Sequence, residues 1–151
     1  MSSSWDNIVS AIKTVLEETS ANDLNVELKY AEHLIVADNL AGSIFNGSYF
    51  IKLRTVNQVD DSVNRRLVAS YQAEIDLCYE ISAGDTVTSY NESISDIEII
   101  IKNMLQQSAW SDYSDIQYVR FVGVDTPTNL VKGNIFQIIP VTFAFDIIIE
   151  Y

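Results

Sequence analysis

Three acidic residues, Glu74, Asp76 and Glu80, alternate with apolar residues and should therefore point to the same face of one β-strand. Paired carboxylates can transfer protons or bind a cation. A strand face that meets solvent or another protein explains the same acids without any reaction, and we favour that interpretation. We therefore predict no catalytic residue and no metal ligand. The sequence also contains no EF-hand loop, HExxH pair or phosphate-binding glycine pattern, so we expect no cofactor.

The single histidine and the single cysteine offer little further chemistry. His33 has no Ser or Cys nucleophile in a recognisable motif near it, so we expect an ordinary surface or partly buried histidine. Cys78 lies on the acidic side of the same strand, where Asp76 and Glu80 should raise the pKa of its thiol and leave it unreactive. One cysteine also excludes a disulfide within the chain.

Arginines are the other candidates for a functional role. Arg54, Arg65 and Arg66 make up a third of the 9 basic residues, and the last two lie where a polar segment enters the long strand. They are either ordinary surface charges or contacts to the acidic surface of a neighbouring copy, because a chain of net charge −12 can associate with itself only if its cations are well placed. The candidate subunit interface comprises Arg54, Arg65, Arg66, Glu74, Asp76 and Glu80.

The composition restricts the class of protein. With 151 residues, 48% hydrophobic and 20% charged, the chain has the make-up of one folded domain covering residues 1–151. The excess of 21 acidic residues over 9 basic residues argues against a nucleic-acid surface and against binding to an anionic membrane. The start lacks the features of a signal peptide and no apolar run has about 20 residues, so we expect a soluble protein made in a reducing cytoplasm.

Hydrophobic periodicity indicates the elements that position these residues. A stripe of Trp5, Ile8, Val9, Ile12, Val15 and Leu16 predicts a first helix over residues 4–19. Ser89 and Glu92 have the spacing of a capping box for a second helix over residues 90–107. Strict alternation predicts a strand over residues 67–81, and a weaker alternation predicts one over residues 26–30. Residues 116–124 are expected to form a further strand, which turns at Asp125-Thr126-Pro127.

Three further segments are predicted from turn and breaker residues. Asn46-Gly47 favours a tight hairpin between residues 43–45 and a second arm over residues 49–56. Residues 60–66 are polar and should form a loop or mobile arm. The apolar segment 134–151 would span about 60 Å as one strand at roughly 3.3 Å per residue, so we expect Pro140 to break it or to sit at a sheet edge. The order of elements favours an α+β fold, a mixed, mainly antiparallel sheet with two helices packed on it.

In layout the chain resembles the tail terminator (tail completion) proteins of long-tailed bacteriophages. After an N-terminal helix, those proteins have a hairpin arm that Tyr49 to Arg54 resembles, then a polar loop ending in basic residues such as Arg65-Arg66. A long alternating strand like Ala69 to Ile81 follows, then a helix like Ser93 to Gln106. A closing strand resembles Pro140 to Ile147.

The resemblance implies a homo-oligomeric ring, usually a hexamer, in the virion at the head–tail junction. Such a ring caps the tail tube, ends polymerisation of the tail tube protein, and offers a docking surface to the head connector. Genomic DNA would pass through the lumen without specific binding, since an acidic lumen repels phosphate.

Other functions remain open from the sequence. Within the same class are other head–tail connector or neck proteins and tail tube subunits. A small cytoplasmic enzyme that uses acidic residues would require a pocket where Glu74, Asp76, Glu80 or His33 converge. A monomeric binding adaptor is the third alternative.

Overall fold

The computed structural model describes residues 3–31, 45–62, 66–82, 84–106, 110–132 and 134–150. Along these residues run two helices and six strands. Their bounds are α1 Ser4–Asn22, β1 Lys29–Tyr30, β2 Ser48–Ser62, β3 Arg66–Ile81, α2 Thr86–Met104, β4 Ile116–Val124, β5 Thr128–Lys132 and β6 Asn134–Glu150.

The strands form one sheet in the order β1-β2-β3-β6-β4, and β5 pairs with the part of β6 that lies beyond β4. Every pairing is antiparallel except the short parallel contact of β1 with β2. This confirms the predicted α+β class and its mainly antiparallel sheet. The central pair, β3 and β6, stays in register from Arg66 opposite Glu150 to Ile81 opposite Ile135 without a shift.

The core lies between the helices and one face of this sheet, called here the helix-side face. Its strand residues include the fully buried Ile75, Leu77, Val141 and Phe143. The predicted stripe of α1 packs on them, and Ser3 caps the helix in a reciprocal pair with Asp6. The opposite face, called the outer face, carries the alternate residues of β3 and β6.

The second helix begins earlier than predicted. α2 starts at Thr86 with Asp85 as its N-terminal flanking residue, so Ser89 lies inside the helix and the expected capping box with Glu92 does not form. The Ser89 hydroxyl instead accepts a hydrogen bond from the backbone N–H of Ser82. An apolar stripe fixes which face of a helix is buried, whereas several Ser and Thr residues in a row leave its first turn ambiguous.

The polar segment expected to be a loop is strand on both of its described sides. β2 continues through Ser62 and pairs it with Arg66 at the start of β3. The hydrogen-bond ladder to β3 holds these polar residues extended although their local sequence favours a turn. Residues 63–65 lie outside the described residues.

The prediction that Pro140 interrupts the last strand is wrong, because β6 runs unbroken for 17 residues. The Pro140 carbonyl accepts a hydrogen bond from the Asp125 N–H, just after β4 ends. In an antiparallel strand the N–H and C=O of one residue point the same way, so the missing N–H faces the gap between β4 and β5. No ladder bond to β3 is lost there, which is why proline is tolerated in a central strand.

Asn46 and Gly47 do form a turn, with Gly47 at φ 92°. The Ser48 N–H donates to the Phe45 carbonyl across it. Phe45 is not strand, and the rest of the predicted first arm, like residues 32–37, lies outside the described residues. The turn leads β2 into register beside β3 and beside the two residues of β1.

Candidate functional site

Two of the acids predicted to face solvent or a partner are buried on the outer face of the sheet. Glu74 and Asp76 are each 7% exposed. Lys52 lies opposite Glu74 on β2, and its Nζ is 2.7 Å from Glu74 Oε2 and 3.3 Å from Asp76 Oδ2. The carboxylate pair expected from the alternation therefore exists, but it is neutralised by a lysine of the same chain. We call these three residues the outer-face triad.

One acid of the outer-face triad, Asp76, has a pKa raised toward neutrality. Burial, the hydrogen bond with Glu74 and the charge of Glu74 raise the pKa of Asp76 to about 7, against the opposing effect of Lys52. Burial also acts to raise the pKa of Glu74. Its hydrogen bonds with Asp76 and Lys52, and the charges of Lys52 and Arg54, outweigh that effect and lower the pKa. Asp76 is therefore the protonated partner, and Glu74 is the carboxylate that accepts from it.

Two arginine side chains extend across the outer face, Arg54 from β2 and Arg120 from β4. Arg54 Nη1 on β2 lies 3.0 Å from Oδ2 of Asp125, which follows β4, although β3 and β6 separate those strands. Arg120 Nη2 on β4 reaches Asp146 Oδ1 at 2.8 Å and the Ser70 hydroxyl of β3 at 3.3 Å. Arg54, expected to contact a neighbouring copy, is thus paired within its own chain. These long side chains cover a strand face that alternation alone assigns to solvent.

The two acids of the outer-face triad are largely closed off from solvent, whereas the side chain of Lys52 is partly exposed. Asp76 Oδ1 and the nearby Thr142 Oγ1 are buried and have no hydrogen-bond partner. Cavities of about 730 and 760 Å³ are lined by other residues, near Trp110 and near Lys13 respectively. Among the described residues, no group of three or more His, Cys, Asp or Glu side chains is placed to hold a metal ion. The geometry favours a structural role for the outer-face triad.

The remaining predicted residues are scattered. Glu80 is half-buried near the end of β3, and its backbone N–H donates to Asn46 Oδ1. Cys78 is fully buried, and burial raises the pKa of its thiol to about 11 while a hydrogen bond with Ser48 opposes the rise. The predicted inert thiol is consistent with this, but burial causes the shift, not the neighbouring carboxylates. His33, Arg65 and the side chain of Arg66 lie outside the described part of the chain.

Two strand edges carry exposed apolar side chains that local pattern alone did not identify. In the β2 edge, residues 53–58, every residue is exposed, including Leu53 at 44% and Val56 at 46%. In the β4 edge, Ile116–Val124, Tyr118 is 60% and Phe121 is 40% exposed. Among the described residues no strand pairs with the free side of either edge.

These two edges also lack negative charge. Neither contains Asp or Glu, although the chain has 21 such residues, and their only cations, Arg54 and Arg120, are paired within the chain. Natural edge strands are commonly blunted by charge, so exposed apolar edges mark surfaces that pair with something. The sequence signal was the absence of acids from these two stretches. Which strands are edges is known only from the topology.

A third buried acid, Asp96 of α2, was missed because a lone aspartate in a helix carries no motif. Its Oδ1 accepts from the backbone N–H and the side-chain amide of Asn25, and its Oδ2 accepts from the Val26 N–H. Burial raises the pKa of Asp96 despite these three hydrogen bonds. Asp96 thereby holds Asn25 and Val26, which lie between α1 and β1, against α2. This is a structural role.

No model of a known protein family matches the chain, and no curated protein sequence matches it either. None of the described helices is both long enough and apolar enough to span a membrane.

Proposed function

We propose that the chain is a structural protein of a phage virion that assembles head to tail into a ring, caps the tail tube and joins it to the head connector. The observation that carries the self-assembly is the pair of exposed, acid-free edges on opposite sides of one sheet. Both helices lie on the helix-side face and ion pairs lie on the outer face, and among the described residues the β2 and β4 edges present exposed apolar side chains on both sides of the sheet.

A head-to-tail ring needs two different complementary patches on each subunit, because one patch of each copy contacts the other patch of the next, and the assembly closes when the rotation between copies allows it. The β2 edge and the β4 edge meet that requirement. Their lack of acid matters in a chain of net charge −12, since copies brought together through acidic surfaces would repel each other. The outer-face triad and both arginine–aspartate ion pairs form within one subunit. The contact between subunits in this proposal is therefore made by apolar side chains and backbone groups.

The terminator assignment is supported by the order of elements. The described chain has the helix, the arm of β2, the long alternating strand β3, the second helix and the closing strand β6 in the sequence that the resemblance leads us to expect. In this proposal the partners are further copies of the chain, the tail tube protein and the head connector, and DNA passes through the ring without specific binding.

The terminator role is tested by adding the purified protein to polymerised phage tail tubes and imaging tube ends by electron microscopy. Rings seated on tube ends, with tube growth stopped, are the expected result. Tubes that lengthen with the added protein would instead identify a tube subunit. Binding to isolated head connectors with bare tube ends would identify a connector or neck protein. Failure to bind either structure would contradict a place at the head–tail junction.

A further inference from the structure

We infer that the ring contact is a continuous β-sheet, in which the β4 edge of one copy pairs antiparallel with the β2 edge of the next. The inference rests on the proposed self-assembly and specifies the surface, the partner and the geometry. The partner is a second copy of this chain, not an unrelated peptide, because the two edges match in strand direction, in the face that carries their apolar side chains and in the length of their regular ladder.

Strand direction makes the pairing possible. Three antiparallel pairings separate β2 from β4 in the sheet order, so β2 and β4 themselves run in opposite directions. Rotation of one copy onto the next about a ring axis roughly parallel to the strands preserves strand direction. The β4 edge of one copy therefore arrives beside the β2 edge of its neighbour in the antiparallel sense, which is the commoner and slightly more stable ladder.

The apolar side chains also lie on matching faces. Leu53 and Val56 are opposite Ala73 and Tyr71 of β3, which puts them on the helix-side face. Phe121 is opposite the core residue Phe143, which puts it on the same face at the other edge. When the edges pair, these exposed side chains form one apolar row that extends the core across the subunit boundary. Removing these side chains from water stabilises the contact through the hydrophobic effect.

The bulges define where the ladder is regular. β2 shifts register between Leu53 and Thr55 and between Gln58 and Asp60. β4 shifts between Ile116 and Tyr118 and between Phe121 and Gly123. Each edge thus keeps a regular run of four residues between its bulges, Thr55 to Gln58 and Tyr118 to Phe121. Bulges blunt an edge against indiscriminate pairing, so two short runs of equal length favour a specific partner.

The experiment places one negative charge in each run. Val56→Glu changes the β2 edge and Tyr118→Glu changes the β4 edge. The matched controls are Val87→Glu and Tyr90→Glu, at exposed positions of α2. All four positions are exposed, so each variant should keep the fold, and circular dichroism checks this. Sedimentation velocity across a concentration series measures assembly of each variant alone and of a 1:1 mixture of the two edge variants.

We expect each edge variant alone to need at least about tenfold more protein than wild type for assembly, because every copy has lost one half of the contact. In the 1:1 mixture, the intact β4 edge of Val56→Glu can pair with the intact β2 edge of Tyr118→Glu. Assembly should then stop at this dimer, because only the two altered edges are left unpaired. The α2 controls should assemble like wild type.

The outcomes separate the two proposals. If wild type and both edge variants assemble equally, the contact lies elsewhere and this inference fails, while self-assembly stands. If either edge variant alone still forms stable dimers, the contact is between like edges and the head-to-tail pairing is wrong. A wild-type chain that stays monomeric at every concentration overturns self-assembly and this inference together.

Discussion

The substitution Asp76→Asn should reduce the loss of stability that the wild type shows as pH rises through neutrality. The side chain of Asp76 is buried beside Glu74, and its pKa is raised from 3.8 to about 7. A folded-state pKa above the unfolded one gives stability that is complete below the unfolded value and is lost as pH rises through the folded value. Asparagine keeps the shape and a donor toward Glu74 but cannot ionise.

The magnitude follows from the shift. A rise from 3.8 to about 7 corresponds to about 4 kcal/mol, at about 1.4 kcal/mol per unit, as the largest cost of ionising Asp76 in the fold. The wild type should lose up to this amount relative to the variant between pH 4 and pH 8. Glu74 has a lowered pKa, so its contribution is lost only on acidification through its own folded-state pKa, below this window. Arg54 remains charged throughout.

Urea denaturation followed by tryptophan fluorescence, at pH 5.0 and pH 8.5, measures the difference. Trp110 is suited as the reporter because it is buried against Phe145. We expect the stability advantage of the variant over wild type to be about 3 kcal/mol larger at pH 8.5 than at pH 5.0, because about two pH units lie between pH 5 and the folded-state pKa of about 7. Asp112→Asn, which removes an exposed carboxylate before β4, is the control and should keep the wild-type pH dependence. Parallel pH dependences for wild type and Asp76→Asn would refute the assignment of the buried proton.

Two further substitutions test the described packing. Asp96→Ala removes the acceptor of three hydrogen bonds from Asn25 and Val26, so the free energy of unfolding should fall by about 3 kcal/mol in urea denaturation; a loss below about 1 kcal/mol would show that water replaces Asp96. Gly47→Ala places a Cβ against the Glu27 backbone at a positive φ, so we expect a loss of about 2 kcal/mol and a lower melting temperature in calorimetry; an unchanged melting temperature would contradict the described turn.

The parts of the fold that the sequence predicts are those in which local pattern and tertiary environment agree. The strands predicted over residues 67–81 and 116–124 correspond closely to β3 and β4, because the core-facing apolar residues of each strand pack on the helix-side face of the sheet. The stripe of α1 is correct for the same reason. Local pattern fails where distant groups decide the outcome, as at Pro140, where the orientation of the missing N–H depends on which strands flank β6.

The candidate site was predicted only in part, for a related reason. The acids of β3 were correctly placed on one face, but that face is buried because Lys52, Arg54 and Arg120 reach over it from other strands. Sequence spacing cannot show a side chain that crosses two strands. The acid-free stretches were visible in the sequence, yet they gained meaning only when the topology placed them at opposite edges of one sheet.

Self-association through the two edges is the central claim, and the mass of the purified protein in solution tests it most directly. Light scattering across a concentration series should find a discrete species near six times the 17.0 kDa chain mass. A mass that stays at 17.0 kDa at every concentration would contradict the account and favour a monomeric adaptor or an enzyme.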